Sequence, residues 1–263
     1  MDLGLKGKVA LVTAASKGLG KASAMSLARE GCKVVICSRR QEATEAAAQE
    51  IREATGAEVL ALAADVTQQA DIDDLVKATL DKFGRIDVLV ANAGGPPPGN
   101  FLDFKAEDWE AAVNLTLMSA VRLCYAVIPQ MLEQGEGSIV AIQSVSVKQP
   151  IDNLILSNSI RMAVIGLLKS LANEFGKKGI RVNSVNPTYT WTDRVDQLLR
   201  ARAEKEGGDV EEMAAKMGEN MPIGRIGRPE EFGDVVAWIA SPNAGYIHGH
   251  ALMFDGGSVK SAL

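Results

Sequence analysis

Short strand-like runs, mostly apolar, recur along this chain at residues 9–12, 34–37, 59–62, 88–90, 138–142, 181–185 and 250–254. Most are apolar throughout rather than alternating with polar residues. That pattern marks strands buried on both faces and predicts a parallel sheet with helices on each side. Between them lie stretches with apolar residues at helical spacing. Residues 72–83 carry Leu75, Ala78, Leu80 and Phe83, and residues 161–175 carry Val164, Leu167, Leu168 and Leu171. The alternation predicts one α/β domain over residues 1–263, a Rossmann-type doubly wound parallel sheet of about seven strands. One segment interrupts the pattern. The charged run from Arg200 to Asn220 reads either as a surface helix or as part of a lid over a substrate, spanning about residues 193–220. Met213, Met217 and Met221 would make such a lid apolar and adaptable.

Composition narrows the function classes. The chain has 28 Lys and Arg against 33 Asp and Glu, a net charge of −5 that argues against nucleic acid as a partner. Cys32, Cys37 and Cys124 have no paired spacing and read as small core hydrophobes, with no metal site expected. With no apolar stretch ahead of the first strand no signal peptide is expected, and apolar runs fall short of the ~20 residues a membrane span needs. The expectation is a cytoplasmic protein with a small-molecule substrate.

The first strand runs into Thr13-Ala14-Ala15-Ser16-Lys17-Gly18-Leu19-Gly20. A glycine turn between a strand and its helix lets backbone N–H groups and the positive helix end approach a pyrophosphate. Ser16, Lys17, Gly18, Leu19 and Gly20 are therefore candidate cofactor-binding residues.

With this turn the chain resembles the short-chain dehydrogenase/reductase family, in particular its 3-oxoacyl carrier-protein reductase and glucose dehydrogenase branches, over residues 5–258. The family's Thr-Gly-x-x-x-Gly-x-Gly turn matches at Thr13, Gly18 and Gly20, with Ala14 in place of a glycine; its methyl group is acceptable if φ there is negative. The resemblance implies that Asp65 and Val66 hold the adenine, that Asn92, Ala93 and Gly94 line the cofactor, and that Asn114 is an active-site asparagine. It also implies that the loop from Pro187 through Thr190 to Thr192 faces the nicotinamide, and that the protein is a homotetramer. At the end of the second strand, where a carboxylate would read free ribose hydroxyls, stand Ser38, Arg39 and Arg40. With Lys17 they favour a 2′-phosphate, hence NADP(H) over NAD(H).

The family's chemical site is a serine, a tyrosine and a lysine. Ser144 matches the serine, but the other two positions hold Ser157 and Arg161. Serine is a far weaker acid than a phenol of pKa ~10, and arginine stays protonated. Arg161 keeps the lysine's positive charge and hydrogen-bonding capacity. Tyr189 is either a loop-packing residue or a displaced acid. Three functions stay open: an NADP(H)-dependent oxidoreductase of a small or acyl carbonyl or alcohol, a cofactor-binding protein without turnover, and a lyase or epimerase in the same pocket.

Overall fold

The computed structural model describes residues 1–219 and 221–261. Seven strands form one parallel sheet in the order β3-β2-β1-β4-β5-β6-β7. They are β1 Val9–Val12, β2 Lys33–Ser38, β3 Val59–Ala63, β4 Val88–Ala91, β5 Gly137–Ile142, β6 Ile180–Pro187 and β7 Ala251–Phe254. Each expected strand is present, with ends shifted by at most two residues. β1 pairs with both β2 and β4. Strand order therefore reverses there, which opens a crevice beyond the strands' carboxyl ends.

Period-two alternation inside the strands feeds two separate cores. Ala10 and Val12 of β1 face one core, and Leu11 faces the other. The first is covered by α1 (Gly18–Arg29), α2 (Gln41–Thr55) and α9 (Pro229–Ala240). α1 and α9 cross closely: a Cβ at Gly233 would sit 2.4 Å from the Ala22 carbonyl oxygen. The second core is covered by α3 (Gln69–Phe83), α5 (Ser119–Gln134) and α6 (Ile155–Phe175). α4 (Ala106–Val113) joins α5 through a π-helical turn, Asn114–Met118.

Two helical spans, Ala106–Gln134 and Ile155–Lys178, are long and apolar enough to cross a membrane by length and composition alone. This corrects the expectation that no apolar stretch reaches that length. Here the inner faces of both spans pack on the sheet in the second core. The three cysteines are buried, and burial pushes each thiol up to about 12. His248 is structural: its Nδ1 accepts from the Val182 N–H, and its Nε2 lies 2.8 Å from the Ala172 carbonyl oxygen.

The interrupting segment is a helical pair, α7 (Asp193–Glu206) and α8 (Val210–Glu219); Asn220, its expected end, lies outside the described residues. Met213 and Met217 pack with Leu199, Ala203, Ala214 and Ile226 in a core of the segment's own. They hold the two helices together rather than presenting a soft surface to a ligand, and Met221 is likewise buried.

Candidate functional site

The carboxyl ends of β1 and β4 are locked together at the reversal point. Thr13 Oγ1 donates to the Asn92 carbonyl at 2.6 Å and accepts from the Asn92 N–H at 2.9 Å. Asn92 Nδ2 donates in turn to the Thr13 and Ala14 carbonyls, both at 3.2 Å. Ala14 is held here at φ +48°, in the left-handed region. The condition that φ be negative is not met, so the methyl group sits in a conformation that favours glycine. Gly20 has no such latitude: a Cβ there would lie 2.6 Å from the Ala14 carbonyl oxygen and 2.8 Å from Asn92 Nδ2.

Over this lock lies a cavity of about 690 Å³ lined by Ser16, Lys17, Ser38, Arg39, Arg40 and Asp65, together with Val66 and Asn92 to Gly95. A second cavity of about 250 Å³ shares Lys17 and Asn92 to Gly95 with the first, so the two form one cleft. It adds Gly18, Leu19 and Gly20, then Gln143, Arg161, Thr192 and Asp193. The cleft thus gathers most of the residues that the sequence singled out for a cofactor. Pro187 and Thr190 are not on its walls: Pro187 ends β6, and Thr190 is buried with its hydroxyl on the Thr188 carbonyl at 3.3 Å.

The cleft's chemistry suits a dinucleotide. Lys17 precedes α1 in extended backbone and no side chain caps the helix, so its first N–H groups are open to an anion. Among the described residues Lys17, Arg39 and Arg40 form no ion pair, whereas neighbouring Lys21 is paired with Glu50. Ser38 is less available, because its hydroxyl is 2.6 Å from Thr44 Oγ1. Asp65 spends one carboxylate oxygen on the Thr67 N–H and hydroxyl, at 2.9 and 2.8 Å, which shapes the turn on the cleft wall. A Cβ at Gly94 would meet nothing within 4 Å, so the backbone there faces open space. Among the described residues there is no group of three or more His, Cys, Asp or Glu suited to a metal.

At the far end of the cleft, β5 and α6 bring four side chains together. Arg161 Nε donates to Ser157 Oγ at 3.1 Å, and Arg161 Nη1 donates to Gln143 Oε1 at 3.2 Å. Ser157 Oγ is also 3.5 Å from Ser146 Oγ. Ser157 is 8% exposed and, like the half-buried Ser144, is not on the cleft wall; Arg161 is. Ser144 Oγ accepts from the Ser146 N–H at 3.2 Å and caps the short turn that follows β5. Asn114 starts the π-helical turn, a distortion frequent at functional sites, and its neighbour Leu115 lines the cleft. Tyr189 lies elsewhere: it is 40% exposed and lines a separate depression with Arg225, Glu231 and Asp255.

Sequence reasoning passed over Gln143 and Ser146. Gln143 was detectable in principle, as a long polar side chain at the end of an otherwise buried apolar strand. The loops beside this end of the cleft are tied by contacts distant in sequence. Gly99 donates to the Asn153 carbonyl at 2.7 Å, which ties the Pro96-Pro97-Pro98 loop to the start of α6. The C-terminal tail returns as the Lys260 N–H reaches Gln149 Oε1 at 3.2 Å.

A family model described as enoyl-(acyl carrier protein) reductase matches residues 13–259. The chain is a member of the short-chain dehydrogenase/reductase family. It is 37% identical over 257 residues to a 3-oxoacyl-[acyl-carrier-protein] reductase of Synechocystis sp., covering 97% of this chain and 98% of the relative. Among solved structures it is similar to the L-sorbose reductase of Gluconobacter frateurii complexed with NADPH and L-sorbose. That likeness has a TM-score of 0.95 and 32% identity over 99% of this chain and 100% of the other. It is also similar to an NADPH-bound short-chain oxidoreductase of Pseudomonas aeruginosa described as containing an atypical catalytic center. There the TM-score is 0.89 and the identity 28%, over 97% and 98% of the two chains.

The left-handed Ala14 generates a stability prediction. Replacing it with glycine relieves a strain of about 1–2 kcal/mol, offset by about 0.4–1 kcal/mol of added unfolded-state entropy. Ala14→Gly is therefore expected to stabilise the fold by up to about 1.6 kcal/mol in urea titration. A loss of stability would show that Ala14 is relaxed at this φ.

Proposed function

We propose that this protein is an NADP(H)-dependent oxidoreductase acting on a carbonyl or alcohol of a small or acyl substrate, in the cytoplasm. The observation that carries this reading is the placement of Arg161, on the cleft wall with Nε bonded to Ser157. Two relatives, a 3-oxoacyl carrier-protein reductase and a sorbose reductase, agree with a carbonyl substrate. A nicotinamide cofactor would supply or accept the hydride. Lys17, Arg39 and Arg40 would hold its 2′-phosphate, and the open N–H groups at the start of α1 its pyrophosphate.

In the reductive direction the proton reaches the substrate oxygen through a cleft water, since Ser157 lies behind the wall that Arg161 forms. The water's O–H bond breaks as one forms on the substrate oxygen, and the Ser157 O–H bond breaks as its proton passes to that water. The Ser157 oxygen is then stabilised by the Arg161 Nε–H until it regains a proton from solvent. Ser144 and Asn114 supply further polar groups for the substrate oxygen and water. Tyr189 has no part in this relay, because it borders a different depression.

A second reading is a cofactor-binding protein without turnover. It is favoured by the burial of Ser157 and by the weak acidity of a serine hydroxyl. The two readings part on one experiment. Ser157→Tyr with Arg161→Lys restores a phenol and its ammonium partner, and is expected to raise NADPH oxidation on simple ketones by about 10²–10⁴-fold. A native rate already normal for an enzyme, with no gain in the double variant, would contradict the role given to position 157.

Two further outcomes follow from the cleft and the long helices. Arg39→Ala is expected to weaken NADPH binding by about 1.5–3 kcal/mol while barely changing NADH, as read by fluorescence titration. Equal losses for both cofactors would remove the 2′-phosphate assignment. The assembly is proposed as a homotetramer built on apolar faces of α5 and α6 and on β7. Light scattering at micromolar concentration is expected to give four times the 27.9 kDa chain mass, and a folded monomer would contradict it.

A further inference from the structure

Arg161 needs more than its own helix to be useful. A guanidinium on a long, flexible side chain reaches many positions, and only some of them aim Nε–H at Ser157 Oγ, four residues earlier on α6. The structure holds it from two sides, by Ser157 on its own helix and by Gln143 just past the end of β5. Gln143 is well fixed for this task. Its backbone N–H donates to the Val185 carbonyl at 3.1 Å, which continues the β5–β6 ladder, and its side chain is 7% exposed. The identity of the bonding atom is settled by chemistry: guanidinium has donors only, so the atom facing Nη1 is the amide oxygen. Burying a glutamine at the end of an apolar strand is costly unless its polar atoms are used. Here the side-chain oxygen is used on Arg161.

We propose that Gln143 is a positioning residue, whose side-chain carbonyl holds the Arg161 guanidinium so that its Nε–H is aimed at the Ser157 hydroxyl. A neutral acceptor suits the role. It orients the cation without cancelling its charge, and leaves the full charge-assisted bond for the Ser157 oxygen. A carboxylate at position 143 would keep the orientation but draw the positive charge to itself. The importance of this bond for turnover rests on the proposed role of Ser157, whereas the orientation itself does not.

The test therefore has two readouts. The first is hydrogen exchange of the Arg161 Nε–H in protein labelled with ¹⁵N-arginine, the signal being identified by its loss in Arg161→Lys. Gln143→Met removes the acceptor at similar length and is expected to speed this exchange at least about tenfold, the scale of one lost bond. Gln143→Glu is expected to keep it slow. Unfolding in urea is followed for each variant, so that only folded protein is compared. Unchanged exchange in Gln143→Met would overturn the proposal, whatever the protein does to ketones.

The second readout is kcat for NADPH oxidation with L-sorbose and with an acetoacetyl thioester as probes. Gln143→Met is expected to lower kcat by about 10–100-fold, the cost of a small misplacement, with NADPH affinity within about twofold of native. In the Arg161→Lys background the same substitution is expected to change nothing further. Gln143→Glu, with its orientation kept but its field reduced, is expected to shift the pH–rate profile. An equal loss in both backgrounds would overturn the proposal by showing that Gln143 acts independently of Arg161. An active Ser157→Ala would instead sink the role of Ser157, and the exchange measurement would still decide the role of Gln143.

Discussion

The site depends first on the reciprocal hydrogen bonding between Thr13 and Asn92. These residues directly follow β1 and β4, the two strands between which the sheet changes direction of growth. With their backbones tied, the glycine turn above β1 and the Asn92–Gly94 segment above β4 become two walls of one cleft. The bonds from Asn92 Nδ2 to the Thr13 and Ala14 carbonyls anchor the turn where Ala14 is left-handed. Strain at this one residue is the local cost of placing the start of α1 against the cleft.

From that lock outward, charge and shape divide the cleft into regions. Lys17, Arg39 and Arg40, without ion pairs among the described residues, stand at the end bordered by β2, and the uncapped helix start lies in the middle. The Gln143–Arg161–Ser157 chain of hydrogen bonds lies at the end bordered by β5 and α6. The cations sit on loops and helix starts, while the polar chain hangs on a strand and a long helix. That difference suits the two tasks proposed, since electrostatic attraction to a cofactor tolerates motion and a proton relay does not.

Much of the fold was legible in the sequence because strands buried on both faces cannot hide their composition. All seven apolar runs became strands, and the sheet is parallel as their uniformity required. The cleft lining was legible where a local turn carries the signal, as at residues 16–20. Three features were not. The φ of Ala14 is set by a carbonyl accepting from Asn92, a contact 78 residues away. Met213 and Met217 looked like a soft lid surface, but their helices first had to satisfy each other, because a detached helical pair needs its own core. Gln143 drew no reading of its own, standing just past the fifth strand, and only the fold shows that its side chain meets Arg161 on α6.

A crystal structure of the protein with NADPH tests the central claim most directly. The account predicts the pyrophosphate over Gly18–Gly20, the 2′-phosphate within hydrogen-bonding distance of Arg39 or Lys17, and the nicotinamide ribose beside Arg161. Arg161 should keep its bonds to Ser157 and Gln143. A cofactor lying outside the crevice between β1 and β4, or a 2′-phosphate turned away from both cations, would contradict the account.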